Sequence, residues 1–191
     1  MKSYVPMVTL LTLFFTLNGT AQDTFIVSGN ENLGRDIEES ILVNTENSKD
    51  YQTLFAGMKA ADLAQILNND GAFTVFAPSD EAFKTLFASK TSTLMNPENK
   101  EELQALFRYH VIAEKLTASK ILMAMCRGEG RATFTTVQGG EITATMSGID
   151  IILTDKLGNS AKIVTADANQ CNGVIHEIDS VILPKKISLL P

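Results

Sequence analysis

The chain has 191 residues, with 16 Lys and Arg against 22 Asp and Glu and a formal net charge of −6, which is the size of one domain. Hydrophobic residues make up 45% and charged residues 20%, which excludes wholesale disorder and a polytopic membrane protein. A pI near 4.9 argues against a nucleic-acid binder, which needs Lys and Arg to neutralise phosphates. Two histidines and two cysteines leave almost no material for a His/Cys metal site or a haem, so no cofactor is expected.

Residues 1–21 read as a secretory signal peptide. Met1-Lys2 is a minimal positive start, Tyr4 to Leu17 is an apolar stretch, and Asn18-Gly19-Thr20-Ala21 sets small residues before a cut after Ala21. The competing reading is an uncleaved anchor. The apolar run is short of the roughly 20 residues that span a bilayer, and Pro6 interrupts its start. Cleavage removes only Lys2 among charged groups, leaving a net charge of −7. Nothing later in the chain is long and apolar enough to span a membrane, so an exported protein, secreted or at the cell surface, is expected. In an oxidising compartment Cys126 and Cys171 are most simply a disulfide. The alternative is a pair of unbridged, buried thiols.

Residues 22–35 carry Gly29, Asn30, Asn32 and Gly34 and read as a loose N-terminal arm, with one short strand at Thr24–Val27. Asp36–Val43 begins a helix. A second helical stretch runs from about Lys49 to Asn68, with Leu54, Phe55, Met58, Ala61, Leu63, Ile66 and Leu67 as an apolar face broken once in phase. Asn68-Asn69-Asp70-Gly71 ends it with turn chemistry. Phe73–Phe76 alternates and is β-rich, so it reads as a strand. Pro78-Ser79-Asp80-Glu81 then starts a helix with Ser79 as N-cap. Another helix opens at Asn96-Pro97 and places Leu103, Leu106 and Phe107 on the face of His110. Thr117 caps a further short helix containing Ile121 and Leu122.

From Ala132 the character changes. Ala132–Val137, Glu141–Met146, Ile149–Thr154, Ala161–Thr165 and Gly173–Leu183 are strand-like and are separated by Gly- and Asn-rich turns. That spacing suits an antiparallel meander. Helices first and strands afterwards argue for an α+β fold, and no internal repeat is visible.

Patterns for catalysis are near misses. His176-Glu177-Ile178-Asp179-Ser180 lacks the second histidine of a zinc-protease motif and falls on a predicted strand. Asp155-Lys156-Leu157-Gly158-Asn159 has too few oxygen ligands for a calcium loop and reads as a hairpin turn. Gly128-Glu129-Gly130 and Gly139-Gly140 lack the strand–turn–helix context of a phosphate cradle. His110 and His176 stand out as polar residues in phase with apolar neighbours. They read as structural histidines with bonded ring nitrogens, with pH sensing or ligand binding as the alternative.

Three blocks carry a resemblance. Phe73–Phe83 (Phe-Thr-Val-Phe-Ala-Pro-Ser-Asp-Glu-Ala-Phe), Arg108-Tyr109-His110-Val111-Ile112, and Asn172–Pro184 resemble, in order and spacing, the signature blocks of fasciclin domains. The resemblance covers residues 36–184 and leaves 185–191 as a C-terminal tail. It implies an α+β wedge, with N-terminal helices followed by a mainly antiparallel, two-sheet β core. It also implies a secreted or surface module for adhesion, or for binding extracellular proteins or polysaccharides, without catalysis. The rival readings are a structural envelope or matrix scaffold with no specific receptor and, third, a hydrolase. By the resemblance the motif residues are Tyr109, His110, Asp167, Asn172 and His176, read as structural. In animal members an Asp-Ile pair before the last block is linked to integrin contacts. Here the matching positions are Asp167-Ala168, so integrin binding is not expected. A cysteine pair is not general in the family, and the bridge rests on the export argument alone.

Overall fold

Six consecutive residues, Phe73–Pro78, are all buried, and this strand, β1, organises the fold. The computed structural model describes residues 39–67, 71–87 and 99–184. The predicted signal peptide, arm and tail, the Asn68–Asp70 turn and the Asn96-Pro97 helix start lie outside the described residues.

The helices are α1 (Ile41–Asn47), α2 (Gln52–Ala60), α3 (Leu63–Leu67), α4 (Asp80–Phe87), α5 (Lys100–Tyr109) and α6 (Ala118–Arg127). Three begin on local caps. The hydroxyls of Ser40, Ser79 and Thr117 accept from Val43, Ala82 and Lys120 N–H, each at 3.3 Å. Ser40 explains why α1 starts five residues later than the sequence pattern suggests. The predicted single helix over 49–68 is two helices. Its break in phase falls at Asp62, which adopts a left-handed φ of 57°, a conformation that Asp tolerates better than most residues. The two pieces still bury Leu54, Met58, Leu63 and Leu67 together.

Strands β2 (Val111–Ile112), β3 (Arg131–Thr135), β4 (Glu141–Ser147), β5 (Asp150–Thr154), β6 (Ser160–Gln170) and β7 (Gly173–Ile178) complete the sheet. Their hydrogen-bonded order is β2-β1-β7-β6-β5-β4-β3. From β3 to β7 the strands form the expected antiparallel meander. However, β1 and β7 pair in parallel, from Phe73 opposite Gly173 to Pro78 opposite Ile178, so the sheet is mixed. The seven strands also form one succession where two sheets were expected. The reason is β6, whose 11 residues serve two neighbours. Ser160–Lys162 pair with β5, and Ile163–Gln170 pair with β7 across two register irregularities. β7 is shorter than predicted because the chain leaves the ladder at Asp179, whose carboxylate accepts Lys162 N–H at 2.8 Å.

β1 also divides the core. Phe73, Val75 and Ala77 face a cluster with the α1–α5 side chains, while Phe76 faces a second cluster with Tyr109, Ile121, Ile142 and Leu153. This is the period-two alternation of a strand buried on both faces. Among the described residues, no helix is long and apolar enough to cross a membrane.

Candidate functional site

The structure brings together two of the five motif residues, Asp167 and His176. Asp167 sits in the irregular stretch of β6 with φ of 61°, and that turn points its backbone N–H at His176 Nδ1, 3.1 Å away. His176 is fully buried and stacks on Phe76 at a 5.7 Å centroid distance. Its Nδ1 accepts, so its proton is on Nε2, which donates to the Leu116 carbonyl at 2.7 Å. Burial pushes the imidazole pKa below its ordinary 6.5, opposed by the Leu116 carbonyl and the Asp167 carboxylate. The same carboxylate accepts the first N–H of α6, from Ala118, at 2.8 Å. Negative charge is favourable there, against the positive end of the helix dipole. Asp167 and His176 thus form one knot joining β6, β7, the 114–117 loop and the start of α6.

Tyr109 and His110 lie elsewhere. The Tyr109 hydroxyl donates to the Glu141 carbonyl at 2.6 Å, and burial, reinforced by the Asp155 carboxylate, pushes its pKa up to about 12. His110 is fully buried, and its Nδ1–H donates to Leu106 O at 2.8 Å. Its Nε2 has no hydrogen-bond partner among the described residues. Burial lowers its pKa to about 4, so both histidines are neutral at pH 7.

Asn172 is a clamp. Its side-chain oxygen accepts Ile41 N–H at 2.9 Å, and its amide donates to Leu67 O at 2.7 Å. One side chain therefore satisfies the start of α1 and the end of α3, which would otherwise leave orphan backbone groups. Cys126 and Cys171 correct the sequence reading, since both are free and exposed and no bridge joins them. Cys126 is in the last turn of α6, which leads into β3. Cys171 lies in the β6–β7 turn, where its N–H donates to Glu39 O. An oxidising compartment favours a bridge only where the two Cα atoms already lie within bonding range.

Three further polar residues, Asp80, Asp155 and Thr74, do comparable work. Asp80 reaches back to accept the N–H groups of Thr53 (2.8 Å) and Gln52 (3.3 Å), capping α2, whose own N-cap position, Tyr51, makes no side-chain cap. Asp155 is buried, and it accepts four bonds, from Leu157 and Asn159 N–H, the Asn159 amide and Leu183 N–H. Its hairpin turn therefore also pins the end of the domain. Thr74 donates to Glu114 O and accepts Leu116 N–H, at 2.6 and 2.8 Å. The aspartate-turn pattern Asp155–Asn159 was visible as a turn, but its long-range partner was not.

The motif side chains are thus bound to backbone inside the fold. Among the described residues, no group of three or more His, Cys, Asp or Glu is arranged to hold a metal ion. Among the described residues, the surface carries two open grooves of about 380 Å³ each. One lies between α4 and the 179–183 segment and is lined by Leu86, Ser160, Asp179 and Val181. The other follows α6 and is lined by Glu114, Leu116, Lys120, Met123, Arg127 and Phe134, with Ala124 between them.

Comparison with known proteins gives this geometry a context. A profile described as the Fasciclin domain matches residues 49–184. The chain is 40% identical over 138 residues to Protein sll1483 of Synechocystis sp., covering 70% of this chain and 67% of that protein. It is 33% identical over 153 residues to human periostin, covering 80% of this chain but only 16% of periostin. Among solved structures it is similar to a FAS1 domain pair from the insect cell adhesion molecule Fasciclin I, with a TM-score of 0.65 at 17% identity. That match covers 75% of this chain and 50% of the pair, so the chain spans about half its length. The chain belongs to the fasciclin-domain family.

Proposed function

We propose that the chain is an exported, non-catalytic adhesion or binding module that contacts extracellular proteins or polysaccharides through its surface. The observation that carries this reading is the internal use of its motif residues. Asp167, His176, Asn172 and Tyr109 each bond to the protein's own backbone, which leaves none of them as a nucleophile or general base facing a substrate. Recognition then falls to the surface between the elements these residues hold. Family membership supports the same reading, because fasciclin domains are typically adhesion or binding modules. Export follows the sequence pattern of residues 1–21 and is part of the proposal.

The test is a binding screen of the purified protein against extracellular polysaccharides, matrix proteins and whole cells. N-terminal sequencing of the protein recovered outside the cytoplasm accompanies it. Saturable binding to one class, with a mature chain beginning at Gln22, is the expected result. No saturable binding across the panel would move the assignment to a scaffold without a receptor. Turnover of an ester, peptide or glycan that falls with His110→Ala or His176→Ala in folded protein would overturn the non-catalytic assignment.

A further inference from the structure

The groove along α6 differs in charge from the rest of the molecule. The chain carries a net charge of −6, yet the groove is lined by two basic residues, Lys120 and Arg127, against one acidic residue, Glu114. Lys120, Met123, Ala124 and Arg127 follow the i, i+3, i+4, i+7 rhythm that puts residues on one helix face, and all four line the groove. Lys120 and Arg127 are two turns apart, about 10 Å along the axis. Between them lie Met123, half exposed at 51%, Ala124 and, from β3, Phe134. The groove is therefore an apolar strip between two cations, with the one carboxylate of Glu114 also in its lining. Lys120 is steadied at its lip by donating to Lys115 O at 2.8 Å.

The shape of the occupant follows from what the walls offer. Two cations separated by an apolar strip match a ligand with repeated negative charges and apolar faces between them, whereas a lipid with one headgroup would satisfy only one of the two. The 114–116 loop, one wall of the groove, offers little to a peptide backbone. The carbonyls of Glu114, Lys115 and Leu116 are already taken by Thr74, Lys120 and His176, and Leu116 N–H is taken by Thr74. A sugar polymer needs no such pairing, since its ring faces pack on Met123 and Phe134 while its acid groups meet Lys120 and Arg127. We infer that this groove binds an acidic, uronate-bearing polysaccharide. The inference rests on the binding-module reading above and names its ligand class.

The experiment measures binding of the purified protein to polygalacturonate, neutral dextran and polyglutamate by calorimetry at low and high salt. Three variants are compared with wild type: Lys120→Glu/Arg127→Glu, Met123→Asp, and Lys59→Glu/Lys84→Glu as a charge-matched control on α2 and α4. The expected result is saturable binding to polygalacturonate that weakens with salt. It should fall more than tenfold in both groove variants, hold within about threefold in the control, and be absent with dextran. Equal binding of polyglutamate would overturn the sugar assignment in favour of an acidic peptide. Polygalacturonate binding unchanged in both groove variants would overturn the groove while leaving the binding-module reading standing. Binding to a protein or a cell surface but to no acidic sugar would also overturn this inference alone, whereas failure across all ligands would remove both.

Discussion

Replacing Asp167 tests the structural role of the carboxylate that joins β6 to the start of α6. Asp167→Ala removes the carboxylate that accepts Ala118 N–H at 2.8 Å, and loss of such a cap costs about 1 kcal/mol. It also places alanine at φ of 61°, where Cβ crowding adds roughly 1–2 kcal/mol that aspartate and asparagine largely avoid. The total is about 2–3 kcal/mol. In a domain of this size each kcal/mol lowers the melting temperature by about 2–4 °C, so Asp167→Ala should melt roughly 5–10 °C below wild type. Asp167→Asn keeps an acceptor oxygen and tolerates the backbone, so its cost should stay below about 1 kcal/mol. Asp167→Gly relieves the backbone but loses the cap and should fall between the two. Thermal unfolding followed by circular dichroism at neutral pH ranks the three. A wild-type melting temperature for Asp167→Ala, or an Asp167→Asn variant as unstable as the alanine, would refute the reasoning.

Three other outcomes are expected. His110 has a folded pKa of about 4 against 6.5 ordinarily, and that of His176 is lowered too. The unfolded chain therefore takes up protons first as pH falls below 6.5, and stability drops toward pH 4; His110 alone should contribute a loss of about 2 kcal/mol by pH 5. Urea denaturation between pH 7.5 and 5 checks this, and a flat profile would contradict it. Asn172→Ala orphans Ile41 N–H and Leu67 O and should cost about 2–4 kcal/mol, measured as a lower urea midpoint at unchanged slope. Gly57→Ala would put its Cβ 1.9 Å from the Phe107 ring. It should cost about 1–3 kcal/mol, less in a Phe107→Leu background, as a double-mutant cycle would reveal.

Local chemistry was legible in the sequence and long-range pairing was not. Ser79 and Thr117 announce their helices because the groups they cap are three residues away. The β3–β7 meander was readable from strand-like runs with Gly and Asn between them. By contrast, Asn172 bonds to residues 131 and 105 positions distant, and no periodicity encodes such a partner. Asp80 looked like a first-turn acid of α4, a local role, yet its oxygens cap α2, 27 and 28 residues earlier. The parallel pairing of β1 with β7 joins segments 100 residues apart, and a hydrophobic run carries no label for the direction of its neighbour. Within the three family blocks, Thr74, Asp80, Asn172 and His176 all bond to partners far off in the chain, so the blocks could be recognised before this work could be explained.

That parallel pair has a mechanical consequence. A pull applied between the chain before α1 and the chain after Leu183 reaches the N-terminal end of β1, once the helices ahead of it have yielded, and the C-terminal end of β7. Because the two strands run in the same direction, this load slides one along the other. The interstrand bonds between Phe73 and Ile178 are then strained together and do not open one at a time from an end, as they would in an antiparallel hairpin pulled at its open side. A module loaded this way resists tension in shear.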